Sequence, residues 1–179
     1  MKLKDINTKG GGSDFFALEQ GENKLRLVSE FEERFVHWDA ENRRSISVAT
    51  QDELLNGEKP RRRFIAYAID RKDGAVKMLE VGASVIKQLK DLAVSGDYGF
   101  DDIPAYDITI KKTGSGMDTE YTVIPARENS DLTEAEQEVV TELQSLQEIC
   151  DRLIAKSKEH LAESSEEESE EEAEEIPFD

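Results

Sequence analysis

The sequence predicts a mainly β fold in which one helix lies between the third and fourth of five strands. The observation that organises this prediction is the stretch 61–126. It opens with Arg61-Arg62-Arg63 and continues in an aromatic and β-branched run to Asp70, a composition typical of a strand. A turn sequence, Arg71-Lys72-Asp73-Gly74, then joins this strand to a returning strand over 75–81.

The rest of that stretch supplies the helix and the last two strands. After Gly82, residues 83–94 have helical spacing, with apolar side chains on one face. Strands are predicted at 106–112 and 120–126, and the glycines of Thr113-Gly114-Ser115-Gly116 suit a tight turn between them. With a first strand at 23–28, the order is typical of a five-stranded Greek-key barrel of the OB type.

Four regions are predicted along the chain. Residues 1–20 form a flexible leader, since the triple glycine at 10–12 is not followed by the Gly-Lys-Ser/Thr of a phosphate loop. The barrel occupies 21–128, with 35–38 either continuing or pairing with the first strand. Residues 39–60 are a polar excursion that contains a weak strand at 45–48. An amphipathic helix at 129–161 and a disordered tail at 162–179 complete the chain.

The C-terminal helix begins with a capping box. Thr133 supplies the hydroxyl at the cap and Glu136 the carboxylate three residues on. Its apolar residues recur at steps of three and four and form one stripe. The stripe either packs on the barrel or pairs with another helix, which includes self-association. Its members are Val139, Val140, Leu143, Leu146, Ile149, Cys150, Leu153 and Ile154.

The charge is placed unevenly. Residues 1–128 hold 20 Lys+Arg against 23 Asp+Glu, a net of −3, whereas residues 129–179 hold 3 against 18, a net of −15. Ten carboxylates and no basic residue lie between Glu163 and Asp179, which predicts a disordered, self-repelling tail. The tail ends in an apolar tip. Because a solvated tail has no core in which these side chains could pack, the tip is predicted to dock in a pocket of a partner protein. The docking residues are Glu174, Glu175, Ile176, Pro177, Phe178 and Asp179.

An enzymatic or metal site is not expected. His37 and His160 lie in different regions, and the single cysteine, Cys150, excludes a disulfide and a cysteine-rich zinc site. No serine-elbow motif is present, so we predict no catalytic residue, no metal and no cofactor. No apolar run approaches the roughly 20 residues that span a bilayer, and the N-terminus lacks a secretory signal. A soluble, reducing compartment without a membrane partner is the expectation.

The barrel carries the two residue types that single-strand binders need. Cations follow phosphates, and aromatic faces stack on bases. A strand aromatic can equally fill the core, and Ile65 and Ile69 share the parity of Arg63 and Tyr67, so the direction of these side chains stays open. The cationic candidates are Arg61, Arg62, Arg63, Arg71, Lys72, Lys77, Lys111 and Lys112, and the aromatic candidates are Trp38, Phe35, Phe64, Tyr67, Tyr106 and Tyr121.

Several stretches in this order resemble the single-stranded DNA-binding proteins of tailed bacteriophages, the broad group that includes the T4 helix-destabilising protein. The resemblance covers roughly residues 21–127. It is carried by Gly21-Glu22-Asn23-Lys24-Leu25-Arg26-Leu27, Val36-His37-Trp38, Arg61-Arg62-Arg63-Phe64 leading to Asp70-Arg71-Lys72-Asp73-Gly74, Tyr106-Asp107-Ile108-Thr109-Ile110, and Gly116-Met117-Asp118-Thr119-Glu120-Tyr121-Thr122-Val123.

The resemblance implies an OB fold, sequence-independent binding of single strands, and roles in phage replication, recombination and repair in the cytoplasm of the infected host. It also implies an acidic C-terminal arm that contacts replication and recombination proteins. The tip is similar to the acidic Asp-Ile-Pro-Phe end of bacterial single-strand binders, although Asp179 extends it by one residue. T4-like members carry a His-Cys₃ zinc ribbon where 39–60 lies. This region has no cysteine, so a variant without zinc is expected.

These observations predict a non-enzymatic, sequence-nonspecific binder of single-stranded DNA. Its acidic tail competes with DNA for the barrel and recruits partners. The alternative is an OB-fold protein–protein adaptor that does not bind DNA and uses the helix stripe and the acidic tail as its surface.

Overall fold

The computed structural model describes residues 15–174, with side chains described up to Glu166. The leader prediction for 1–14 and the tip from Glu175 to Asp179 lie outside the described residues. Seven strands and three α-helices follow one another along the described part of the chain. They are β1 (Gly21–Leu27), β2 (Glu32–Asp39), β3 (Arg44–Val48), β4 (Arg61–Asp70), β5 (Val76–Val81), α1 (Ala83–Ala93), β6 (Ile108–Thr113), β7 (Glu120–Pro125), α2 (Glu134–Thr141) and α3 (Leu146–Glu174).

The strands pair in the order β3-β2-β4-β1-β6-β7, and β5 also pairs with β4. The registers of β1, β2, β3, β4, β6 and β7 are antiparallel. This mixed β and α architecture is compatible with an OB-like fold. The predicted five-stranded Greek-key barrel is not confirmed, because the sheet has seven strands. The two strands beyond the five are β2 and β3, which contain the predicted strand residues 35–38 and 45–48 and pair with each other.

Contacts divide the chain into two compact units, which are described separately. Among the described residues, the first unit comprises 15–30, 66–80 and 87–131. Its core is built from the inward residues of β1 and β6, since Leu25 lies directly opposite Ile108 and both are buried. The amide of Gln88 on α1 donates to the backbone oxygen of Tyr121 and accepts from the nitrogen of Val123, 2.8 Å in each case. These two bonds hold α1 against β7.

The second unit comprises, of the described residues, 31–65, 81–86 and 132–174. Here α3 packs against β3 and β2. The Ser157 hydroxyl oxygen accepts from the backbone nitrogen of Ser47 at 2.8 Å, and Arg44 Nη2 lies 3.3 Å from Ser164 Oγ. Seven helical residues rise about 10.5 Å and three strand residues about 10 Å. The helix therefore runs antiparallel along the β3 edge, and Leu146 and Cys150 of the predicted stripe are buried.

The C-terminal region differs from the prediction in two ways. The capping box at Thr133 and Glu136 is present and starts α2, but the chain leaves the helix after Thr141 and begins α3 at Leu146. Residues 162–174, predicted to be disordered, continue α3. Glutamate has a high helix propensity, and the contact of Ser164 with Arg44 anchors the helix just before its acidic segment.

None of the described helices is long and apolar enough to cross a membrane.

Candidate nucleic-acid interface

The three consecutive arginines do not face the same way. The β2–β4 register places Arg61 opposite Val36, Arg62 opposite Phe35 and Arg63 opposite Arg34. Because side chains alternate along a strand, Arg61 and Arg63 share one face and Arg62 lies on the other. Arg62 forms an ion pair with Glu33, and its guanidinium carbon lies 5.1 Å from the centre of the Phe64 ring. Of the three arginines predicted to bind phosphate, Arg61 and Arg63 therefore share a face and Arg62 does not.

An exposed aromatic side chain lies on the same face as Arg61 and Arg63. Trp38 on β2 has 61% of its surface exposed and lies opposite Ser45 of β3. The alternation places it beside Val36 and Arg34 on this face. We call this surface the Trp38 face. It consists of Arg34, Val36, Trp38, Ser45, Ser47, Arg61 and Arg63, all from the second unit.

The three arginines of the Trp38 face differ in burial and in surroundings. Arg34 is buried and donates from Nη2 to Ser47 Oγ at 2.8 Å. Arg63 Nη1 would lie 3.0 Å from a Cβ built at Gly82, so the absence of a side chain there leaves room for this guanidinium. Arg61 is exposed and makes no ion pair with the described side chains. The face thus combines one accessible aromatic ring with an exposed cation, Arg61, and a half-buried one, Arg63, whereas Arg34 is buried.

The cations of the β4–β5 hairpin are paired with carboxylates of the first unit. Lys77 Nζ lies 2.8 Å from Asp70 Oδ2 and 2.7 Å from Asp73 Oδ2. Hydrogen bonds to these two carboxylates raise the pKa of Lys77 above its ordinary value. Lys72 pairs with Glu19 at 3.1 Å, and Arg71 with Asp107 at 3.1 Å. These contacts stabilise the hairpin, so a phosphate would compete with a carboxylate at each cation.

The candidates on β6 and β7 lie on opposite faces of the first unit. Lys111 is opposite Thr122, whereas Lys112 is opposite Tyr121. Lys111 is exposed, and Lys112 donates to the backbone oxygen of Leu18 at 3.3 Å. Lys111 and Tyr121, predicted to act together, therefore do not share a surface.

Two of the predicted stacking residues belong to the core. Tyr106 is 3% exposed, and its hydroxyl donates to the backbone oxygen of Tyr98 at 2.8 Å. Burial raises the pKa of the Tyr106 hydroxyl. Tyr67 is 9% exposed because both faces of β4 are covered from Ile65 to Asp70. Neither ring offers a face to solvent for a base, and Phe64 is half-buried beneath Arg62.

Sequence reasoning missed two cations on these sheet faces, of which Arg34 is buried and Lys24 is exposed. Arg34 was not among the candidates, although its parity with Trp38 along β2 would have placed it on the same face. Lys24 was also missed, although it alternates with the apolar residues Leu25 and Leu27 on β1 and is therefore directed away from the core. In both cases the signal is the alternation of side chains between the two faces of a strand, which repeats every second residue.

No group of three or more His, Cys, Asp or Glu side chains is arranged to hold a metal ion among the described residues. His37, the residue nearest in the chain to the proposed zinc-ribbon position, is buried and its Nε2 lies 2.8 Å from the backbone oxygen of Glu53. That contact gives the imidazole a structural role in the second unit.

Comparisons with known proteins return one informative similarity. The chain is similar to a protein of Escherichia phage T5 named a probable ssDNA-binding protein, with 26% identity over 151 aligned residues. The match covers 65% of this chain and 57% of the T5 protein, so the chain spans little more than half the length of that relative. No protein-family model matches the chain, and no solved structure matches it.

Proposed function

We propose that this protein is a non-enzymatic, sequence-nonspecific single-stranded DNA-binding protein of a bacteriophage. The observation that carries the proposal is the Trp38 face, where an exposed indole lies on the same side of the sheet as Arg61 and Arg63. The similarity to the T5 protein named a probable ssDNA-binding protein supports the same class of ligand. A relation to the T4 helix-destabilising protein without its zinc ribbon is part of the proposal.

Binding on this face uses stacking and charge together. A base stacks on the Trp38 ring, a contact worth about 1–3 kcal/mol and indifferent to base identity. The neighbouring phosphates are bound by Arg61 and Arg63, whose guanidinium groups donate paired hydrogen bonds to phosphate oxygens. A net charge of −18 does not prevent this, because attraction to DNA depends on the local field within about a Debye length of the face.

The acidic C-terminal segment is proposed to regulate DNA binding and to recruit partner proteins. Its carboxylates compete with DNA phosphates for the same cations, and the tip from Glu174 to Asp179 docks on replication and recombination proteins. This assigns the protein to phage DNA replication, recombination and repair in the cytoplasm of the infected bacterium. Self-association through α3 is not part of the proposal, because the apolar stripe of α3 contributes to packing on β3 and β2.

The test is a titration of the full chain with oligo-thymidine, at low and moderate salt, beside a duplex of mixed sequence. Trp38 is the single tryptophan, so quenching of intrinsic fluorescence reports stacking at this residue alone. We expect quenching and tight, salt-sensitive binding of the single strand, and much weaker binding of the duplex.

A matched pair of charge variants locates the binding face. Arg61→Gln should weaken binding, whereas Lys90→Gln, an equal charge change on an exposed residue of α1, should not. Failure of the full chain and of a tail-deleted chain to bind oligo-thymidine would overturn the proposal and favour the protein–protein adaptor.

A further inference from the structure

Asp107, in the first unit, is a carboxylate shared by three cations. Its Oδ1 lies 3.1 Å from Arg71 Nη2 and 3.6 Å from Arg26 Nη1, and its Oδ2 lies 3.9 Å from Lys24 Nζ. One carboxylate balances one positive charge. Lys24 and Arg26 alone therefore exceed the charge of Asp107, whatever else Arg71 contacts. The group formed by Lys24, Arg26, Arg71 and Asp107 is called the Asp107 cluster.

The side chains of the Asp107 cluster range from buried to exposed. The side chain of Arg26 is 7% exposed and that of Asp107 14%, whereas the side chain of Lys24 is 62% exposed. Arg26 is fixed by donating from Nη1 to Ser130 Oγ at 2.9 Å and from Nη2 to the backbone oxygen of Ser130 at 2.7 Å. Both acceptors are neutral, so they orient the buried guanidinium without cancelling its charge. Partial burial lowers the local dielectric and strengthens the field of that charge.

Lys24, the exposed residue of the cluster, lies on a solvent-exposed face of the sheet formed by β1, β6 and β7. The β1–β6 register places Lys24 opposite Thr109, and the β6–β7 register places Thr109 opposite Ile124, which is partly exposed. The backbone nitrogen of Arg71 donates to the oxygen of Lys24 at 3.0 Å, so these two residues are neighbours across the strands. Lys111 shares the parity of Thr109 and is exposed. A nucleic-acid backbone crossing this face would meet Lys24 and Arg71 side by side.

The geometry points to the Asp107 cluster as a second phosphate-binding site, whose ligand is a phosphodiester of the single strand. Lys24 makes the direct contact, because its ammonium group is outside hydrogen-bond distance of Asp107 and has no other ion-pair partner in residues 15–166. Arg71, which donates to Asp107 from Nε and Nη2, lies beside Lys24 and adds a second positive charge to the site. Arg26 and Asp107 are positioning residues: the first holds the carboxylate, and the second aims Arg71. This inference rests on the proposed function for the identity of the ligand.

The first test compares charge-matched variants in the oligo-thymidine titration. Lys24→Gln should weaken binding on the order of threefold to tenfold at low salt and reduce the slope of log affinity against log salt by about 0.7, the value of one single-strand phosphate contact. Lys90→Gln is the control. Asp107→Asn, which keeps an acceptor for Arg71 while removing the competing charge, should tighten binding more than Asp118→Asn, an equal change at an exposed turn.

Two outcomes separate this inference from the proposed function. If Arg61→Gln weakens binding but Lys24→Gln behaves like Lys90→Gln, the Asp107 cluster is not a phosphate site, and the Trp38 face stands. If the wild-type chain binds no DNA, the proposed function fails, and a second measurement decides the cluster. Titration with inorganic pyrophosphate should shift the Arg71 Nε–Hε NMR signal saturably in the wild type and not in Lys24→Gln. Absence of that shift in the wild type would overturn the site.

Discussion

The hydroxyl oxygen of Ser157 lies 2.8 Å from the backbone nitrogen of Ser47, and both residues are buried. Ser47 lies on β3, which is at the end of the pairing order, so no other strand among residues 15–174 pairs with its outward amides. A side chain from α3 thus satisfies one of these amides in place of a backbone carbonyl. Covering an edge in this way prevents unpaired strand groups from joining another chain.

Ser157→Ala should lower the free energy of unfolding by about 1–3 kcal/mol, because it leaves the buried amide of Ser47 without an acceptor. Ser165→Ala is the control on the same helix, since Ser165 is exposed and bonds only to the backbone oxygen of Ala162 among the described residues. Urea unfolding followed by circular dichroism measures both. Equal stability of the two variants would show that the Ser47 amide is satisfied in another way.

Arg61→Gln and Arg62→Gln should have different effects on DNA binding although they are adjacent and change the charge equally. Arg61 lies on the Trp38 face, whereas Arg62 lies on the opposite face and is paired with Glu33. We expect Arg61→Gln to reduce the salt slope by about 0.7 and Arg62→Gln to leave it unchanged. Fluorescence anisotropy of labelled oligo-thymidine at several salt concentrations measures the slopes, and equal losses would contradict the strand register.

Trp38→Ala should weaken oligo-thymidine binding by about 1–3 kcal/mol, which is roughly fivefold to 150-fold, because one base loses its stacking surface. The unfolding free energy should change little, since the ring is largely exposed. Met117→Ala removes another exposed apolar side chain, at the turn between β6 and β7, and serves as the control. If both variants bind like the wild type, stacking at Trp38 is excluded.

The stabilising effect of Lys77 should depend on pH at both ends of the range. Hydrogen bonds to Asp70 and Asp73 raise the pKa of Lys77 above 10.5, so its contribution is complete below pH 10.5 and is lost as pH rises through the raised value. The hydrogen bond from Lys77 lowers the pKa of Asp73 below 3.8, so that contribution is present above pH 3.8 and is lost as pH falls through the lowered value.

The measurement is the difference in unfolding free energy between the wild type and Lys77→Gln. It should be constant from about pH 5 to 9 and should narrow at both extremes. Lys87→Gln, an exposed lysine of α1, provides the comparison and should show a small difference at every pH. If the difference in unfolding free energy between the wild type and Lys77→Gln does not become smaller in acid, the ion pair between Lys77 and Asp73 contributes nothing to stability.

Deletion of residues 167–179 should increase the affinity for oligo-thymidine, and the increase should be larger at low salt. The deletion removes eight carboxylates but keeps the contacts of Ser157 and Ser164 with β3. Competition between the carboxylates and DNA is electrostatic, so salt weakens it. Titrations at two salt concentrations with both chains test this, and identical affinities at low salt would exclude competition by the tail.

Local patterns were enough to predict most of the elements. The bounds of β4 were predicted at Arg61 and Asp70, because the apolar run has clear turn signals after it, and the capping box at Thr133 correctly predicted the start of α2. The pairing of β2 with β3 was harder to predict, because the strand residues lie within polar sequence and are stabilised by contacts with each other and with α3.

The candidate site was predicted less completely than the fold. Trp38 and Arg61 are exposed as a binding role requires, but residue type alone does not distinguish a strand face that is covered from one that is open. Tyr67 is buried because the second half of β4 is covered on both sides, a consequence of tertiary packing that the β4 sequence does not contain. The extension of α3 to Glu174 was missed because the high charge of that segment outweighed its helix propensity in the prediction.

Gly82 provides a way to adjust the Trp38 face without removing a charge. A methyl group at this position would lie 3.0 Å from Arg63 Nη1, the end of a flexible side chain. Gly82→Ala would therefore displace the guanidinium by a few tenths of an ångström while the strand and the net charge stay the same. In a directed-evolution library selected for altered strand affinity, position 82 would serve as a steric tuning site that acts through the Arg63 guanidinium.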